Sequence, residues 1–435
     1  MSFAVIGAAI YAVWYVEDTV TELSAASTQS TVLQTPALVE VVPEPTQTET
    51  TSPRMEELPS PARTEAETMP KPEDLALSPP PEIDQTKVKE IYWQYYAALS
   101  DLLHPPRDYY ENASRLQPGF SSGRTVSKDP YSVGDRQVFR TADGRIGAVL
   151  AAVTEHAYFW LDEDLNYDLH DIEREAQRFE DDFYPIVYGL FGEEWRPGVD
   201  SDSHFSVLHL AKHSGDDELG FFSSADEYPW AVTLDSNQQE MVYLNMDILS
   251  LGSDLYHGTL IHEIQHLIQW NKDANEAIWV SEGLAQFTEL FAGFDTVDTA
   301  SDYLTHPEIQ LNSWEFEDED KLYAHYGASY LFMVYLWEQA GKAALSDLVE
   351  EQSDGLSGVR SVLEHFKPEV TLEQFYANWM AANYLDDLDA GREFGYANLR
   401  LYKPRAAAEI TEQPFESVDE LDQFGVQYVE LDLTG

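Results

Sequence analysis

The sequence contains no cysteine. That excludes disulfides, thiolate metal ligands and a lipid carried on Cys, so any tight transition-metal site must be built from His and carboxylate. Basic residues are scarce. The chain has 25 Lys and Arg against 79 Asp and Glu, a formal net charge of −54. So acidic a surface repels phosphates, which argues against nucleic acid as a partner; it reads first as a solvated acidic shell. The apolar run at 2–16, SFAVIGAAIYAVWYV, falls short of the ~20 residues that cross a bilayer comfortably, and no Lys or Arg precedes it. No internal repeat is evident.

What is present suits a globular protein, with 43% hydrophobic and 13% aromatic residues in a chain of 435. Residues 1–18 read as a hydrophobic export or anchor segment. Residues 19–86 are rich in Pro, Thr and Glu and bury too little apolar surface to fold, so they read as a disordered linker. Together they predict an extracytoplasmic protein, secreted or tethered to a membrane through residues 2–16. Residues 87–253 read as an α+β part, with a helix over Lys87–His104 and strands around 133–162. A helix follows over Asp168–Tyr184, ended or kinked at Pro185, and then strands at His204–Leu210 and Met241–Met246. Residues 254–390 turn helical, with helices predicted at 254–271, 275–292, 321–340, 342–352, 356–366 and 371–386. Residues 391–435 read as an extension, possibly β, ending in the alternating stretch 424–433.

The chemistry concentrates in HGTLIHEIQHLIQWNKDANEAIWVSEGLAQFTEL, residues 257–290. On a helix His262 and His266 lie one turn apart on one face, where two imidazoles can hold one zinc ion. Ile261, Ile264, Leu267 and Ile268 would seat that helix in a core. Glu263 can reach water at the metal without ligating it and serve as general base. A third His would be needed near 272, where Lys272 stands. Glu282 instead lies 16 residues beyond His266, after the turn-like Asn271–Asn275, and a helical hairpin brings it opposite the two His. Trp279, Val280, Leu284 and Phe287 would pack the second helix, and Gly283 would permit close approach to the metal.

HEIQHLIQW…WVSEGLAQF resembles the gluzincin zinc metallopeptidases, with a thermolysin-like site, and most of all their hyicolysin-type branch. GFFSSADEYP…SNQQEMVYLNMD and HYGASYLFMVYL add to the likeness, which covers about residues 130–390. It implies an α+β zincin-like fold, with a mixed sheet beside helices and a cleft between an N-terminal and a helical subdomain. It also implies His262, His266 and Glu282 as zinc ligands and Glu263 as catalytic base. In the thermolysin-like pattern an Asp four residues after the ligand Glu orients an imidazole. Here that position is Gln286, with Glu289 one turn further on, and either could do so. Gluzincins commonly place Tyr or His opposite the metal as a transition-state donor, which points to Tyr326 or His325.

The expected function is zinc-dependent cleavage of polypeptides as an endopeptidase. The alternatives are an aminopeptidase with the same ligands and a catalytically inactive cell-surface binding protein on the same fold. Asp200-Ser-Asp202-Ser-His204 is a weak candidate for Ca2+, lacking the full ligand spacing. A peptide substrate could pair with the strand around Phe221–Ser224 or with that around Met241–Asn245, and the sequence does not choose between them.

Overall fold

The computed structural model describes residues 108–214, 218–294, 299–411, 421 and 423–431. The export segment, the 19–86 linker and the Lys87–His104 helix lie outside them. No helix among the described residues is long and apolar enough to cross a membrane. The expectation of an extracytoplasmic protein, secreted or tethered through residues 2–16, is therefore corrected and not carried forward.

The architecture is α+β, with a six-stranded mixed sheet and helices. The strands are β1 (Arg136–Thr141), β2 (Gly144–Val153), β3 (Ala157–Asp162), β4 (Phe205–Leu210), β5 (Gly220–Phe222) and β6 (Met241–Asn245). Their order in the sheet is β1-β2-β3-β4-β6-β5. β1–β2, β2–β3 and β5–β6 pair antiparallel, whereas β3–β4 and β4–β6 pair parallel. The three central strands are buried along their whole length. Alternate residues serve opposite faces, as a period of two requires. Phe159, Val207 and Leu244 join the large core beneath the helices, while Tyr158, Trp160, Leu208 and Tyr243 join a smaller core on the other face. β6 is thus interior and β5 is an edge.

The first helices are α1 (Tyr109–Leu116), α2 (Leu169–Arg178) and α3 (Tyr184–Phe191). The helix expected over Asp168–Tyr184 does not stop at Pro185. It passes through a π turn at Phe179–Phe183 into α3. Pro185 sits in the first turn of α3, directly after that π turn.

The helical half holds α4 (Asp254–Lys272), α5 (Ile278–Phe291), α6 (Thr299–Thr305), α7 (Glu319–Ala340), α8 (Lys342–Glu350), α9 (Leu356–Phe366) and α10 (Leu372–Leu385). α4 starts at Ser253, whose hydroxyl accepts from Tyr256 N at 3.1 Å. Ile261, Ile264, Leu267 and Ile268 on α4 are buried, as are Trp279, Val280, Leu284 and Phe287 on α5. Each such side chain contributes about 1.5–3 kcal/mol by leaving water. One core runs from Ala151 to Tyr396, so it crosses the expected boundary at 253/254 without a break. The stretch around 424–433 pairs back onto this body. β8 (Tyr428–Leu431) lies parallel to β7 (Ala406–Ile410), and the Tyr428 hydroxyl donates to Met380 O at 2.9 Å.

Candidate metal centre

α4 and α5 form the hairpin anticipated from sequence, and it brings His262, His266 and Glu282 together. One ligand atom from each lies within 4.8 Å of the others, and this is the one such His/Cys/Asp/Glu group found among the described residues. Glu282 Oε2 stands 3.3 Å from His262 Nε2 and 3.5 Å from His266 Nε2. Two ligands at tetrahedral positions around zinc are about 3.4 Å apart for bonds of about 2.0–2.2 Å. The donor set and its spacing therefore fit a zinc ion.

The far side of each imidazole is held as well. His262 Nδ1 lies 2.7 Å from Glu289 Oε1, and His266 Nδ1 lies 3.0 Å from Ser281 Oγ. Donation of Nδ1–H to the Glu289 carboxylate leaves the Nε2 lone pair of His262 directed at Glu282 and the centre. Of the two residues that could orient an imidazole, Glu289 does so; the Gln286 carbonyl accepts from the Thr299 hydroxyl at 3.4 Å instead. Ser281 was missed by sequence reasoning. Its only signal there was its place directly before Glu282.

Burial opposes charge on all of these groups, and the partners decide the outcome. For Glu282, His266 and His262 outweigh desolvation and hold the carboxyl well below its usual range. For His262, the bonds to Glu282 and Glu289 overcome desolvation and hold the ring well above its ordinary value. Glu263 has no such bond. Burial pushes its carboxyl up to about 7, although both His pull the other way. Such a group holds or releases a proton near neutrality, the property a general base requires.

Two close approaches shape the surroundings. A Cβ at Gly220 of β5 would stand 2.8 Å from Thr259 Cγ2 and 3.2 Å from Glu263 Cγ, so the edge strand lies directly against the helix that carries Glu263. A Cβ at Gly283 would meet Ser329 O at 2.6 Å. Gly283 therefore lets α5 press on α7, and its expected role in approaching the metal is corrected.

Tyr326 and His325 part company. His325 is wholly buried, stacks on Trp314 at 5.5 Å, and accepts the Glu315 N–H on Nε2 at 3.0 Å. It is a packing residue. Tyr326 is half-buried; burial raises its hydroxyl pKa, and the charges of Glu282 and Glu263 raise it further.

The carboxylates of the proposed Ca2+ loop are occupied by protein donors. Asp202 accepts from the Tyr158 hydroxyl at 2.7 Å and contacts His204 Nδ1 at 2.6 Å, while Asp200 Oδ1 accepts from Asp202 N at 2.9 Å. That geometry is an acidic turn, not an oxygen cage.

No protein-family model matches the chain, and no curated protein matches it. Solved structures give limited likenesses. One is a two-domain M1 zinc metallopeptidase variant bound to L-arginine, 12% identical over 62% of this chain and 54% of that one, TM-score 0.32. Another is an M1 zinc metallopeptidase variant from Deinococcus radiodurans bound to a Tyr-Ser-Ala substrate, 12% identical over 56% and 51%, TM-score 0.32. A third is native yeast LTA4 hydrolase, 13% identical over 63% and 45%, TM-score 0.36. The chain spans about half the length of these structures. Scores this low carry no argument about fold or function.

Proposed function

We propose that this chain is a zinc-dependent peptide hydrolase acting as an endopeptidase. The observation that carries the reading is the convergence of His262, His266 and Glu282 at ligand spacing with the outer nitrogen of each imidazole already engaged. A zinc ion held by these three would supply Lewis acidity toward a carbonyl oxygen and make water more acidic. Glu263 takes the proton from the attacking water and delivers it to the leaving nitrogen. Tyr326, whose hydroxyl feels the charges of the same carboxylates, would donate its O–H to the oxygen that gains charge.

The open edge of β5 supports an extended substrate. A peptide laid along Gly220–Phe222 would extend the sheet, with its backbone passing the base. β6, the other strand considered, has neighbours on both sides. The likeness to the hyicolysin-type branch rests on the HEIQH…WVSEG residues.

The test is hydrolysis of end-blocked peptides by zinc-loaded protein. Cleavage supports the endopeptidase; activity confined to peptides with a free amino end would make it an aminopeptidase. Glu263→Gln should cut kcat/KM about 10²–10⁴-fold with zinc still bound, and full activity in that variant would remove Glu263 from its role. Loss of nothing on chelation would leave only a binding protein.

A further inference from the structure

A cavity of about 460 Å³ opens beside the metal triad on the His266 side, where His266, Ser281 and Glu282 form part of its wall. Phe222, at the end of the edge strand, and Trp270, on the last turn of α4, supply aromatic surface, their rings 6.3 Å apart. Asp273 and Glu276, from the α4–α5 turn, supply carboxylates, and among the described residues no Lys or Arg lines the cavity.

Each of these two acids uses one oxygen for the fold and leaves the other uncommitted. Asp273 Oδ1 accepts from Asn275 N at 3.3 Å. Glu276 Oε1 accepts from Ala277 N at 2.5 Å and Gly355 N at 2.7 Å, at the N-terminal ends of α5 and α9. Asp273 Oδ2 and Glu276 Oε2 are buried with no hydrogen-bond partner, and so is Gln269 Nε2 in the same wall. Asp273 is only 4% exposed. Buried polar groups are nearly always satisfied, so three orphans around one cavity need an explanation. Further negative charge lies close by, since Asp354 and Glu351 both raise the Asp273 pKa after burial has done so.

Carboxyls with a spare oxygen and aromatic walls complement a cation on an apolar stem. Burial pushes the Glu276 carboxyl up to about 8, so it holds a proton near neutrality and releases it to an incoming cation, with Asp273 the standing charge. We propose that this cavity is the subsite that binds a Lys or Arg side chain of the peptide substrate next to the cleaved bond. The proposal rests on the peptidase reading and names its substrate class. The cationic head bonds Asp273 Oδ2 and Glu276 Oε2, the stem lies between Phe222 and Trp270, and the Gln269 amide is left to donate to a substrate carbonyl.

Binding and catalysis test it separately. Zinc-loaded Glu263→Gln protein is titrated calorimetrically with end-blocked peptides that differ only in Arg, Lys, Ala or Glu at one position, so that no free amine competes. The basic peptides should bind at least about tenfold more tightly than the Ala peptide, as a charge pair shielded from water allows. Adding Asp273→Asn, nearly the same shape, should remove most of that difference. Equal binding of Arg and Ala peptides would overturn the subsite whether or not the chain is a peptidase. Tighter binding of an Ala peptide with a free amino end than of the end-blocked Arg peptide, in a separate titration, would overturn it as well. In the catalytic arm the ratio of kcat/KM for Arg over Ala peptides is compared between the wild-type protein and Asp273→Asn. The ratio should fall about tenfold, and an unchanged ratio in a folded, active variant would assign the preference elsewhere. Failure of every peptide to be cleaved, with the binding preference intact, would sink the hydrolase reading and leave the subsite standing.

Discussion

At the residue scale the candidate centre depends on groups that would not touch a bound ion. Glu289 fixes one ring of His262 in the tautomer that offers Nε2, and Ser281 does the same for His266 with a weaker, neutral partner. Glu289→Gln should therefore weaken zinc affinity about 10–100-fold, read by competition with a chromogenic chelator, and Ser281→Ala should weaken it less. Equal effects of the two would mean that charge at Glu289 contributes nothing. The ligands were legible because an i, i+4 pair of His on an apolar helix leaves little else to infer. The orienting group was not, because Gln286 and Glu289 are both within a turn or two of Glu282. Only the position of Thr299, on the next helix, shows that Gln286 is occupied elsewhere.

At the element scale two absent side chains set distances. Gly283→Ala places a methyl 2.6 Å from Ser329 O, and backbone cannot yield as a flexible side chain would. The variant should lose about 1–3 kcal/mol of stability, measured by denaturant unfolding, and should bind zinc more weakly because α5 carries Glu282 outward with it. Normal zinc affinity at reduced stability would show that α5 and the centre move independently. Periodicity located α4, α5 and α7–α10 to within a few residues because each buries an aliphatic stripe. It did not find the π turn at Phe179–Phe183, which breaks the 3.6-residue period, or α6, only seven residues long. The sequence offers a strand around Phe221–Ser224, but the three residues of β5 carry too short an alternation to mark it, rather than β6, as the edge.

At the scale of the whole molecule, acids buried together govern the response to pH. Asp200, Asp226, Glu227 and Glu240 come from three separate stretches, so their meeting is invisible in the sequence. Burial pushes Glu240 up to about 8 from its ordinary 4.5, raises Glu227 well above its own, and takes Asp226 to about 6. Groups raised by folding stabilise the native state fully below their unfolded values, and that contribution is lost as pH climbs through the folded ones. Tm should accordingly fall from about pH 4.5 to about pH 8, and fall less in Glu240→Gln; an identical slope in both proteins would exclude the acid cluster as the cause. The buried rings of His209 and His325, lowered to about 4 by burial, act in the opposite sense. Their contribution is complete above about 6.5 and is lost as pH falls toward 4. Removal of zinc should lower Tm as well, by the equivalent of about 2.7 kcal/mol when free zinc had stood at 100 times its Kd, and a Tm indifferent to chelator would show that no ion is held.

His262 and Glu289, the most widely separated members of the centre, are only 27 residues apart, and Glu263, His266, Ser281 and Glu282 lie between them in the same hairpin. Closing so short a loop costs little entropy compared with assembling the six-stranded sheet. An ion could therefore be captured as soon as two helices meet, before β5 has been laid across them. The order of events would then run from ion to sheet edge, with the groove along β5 the last part of this body to take shape.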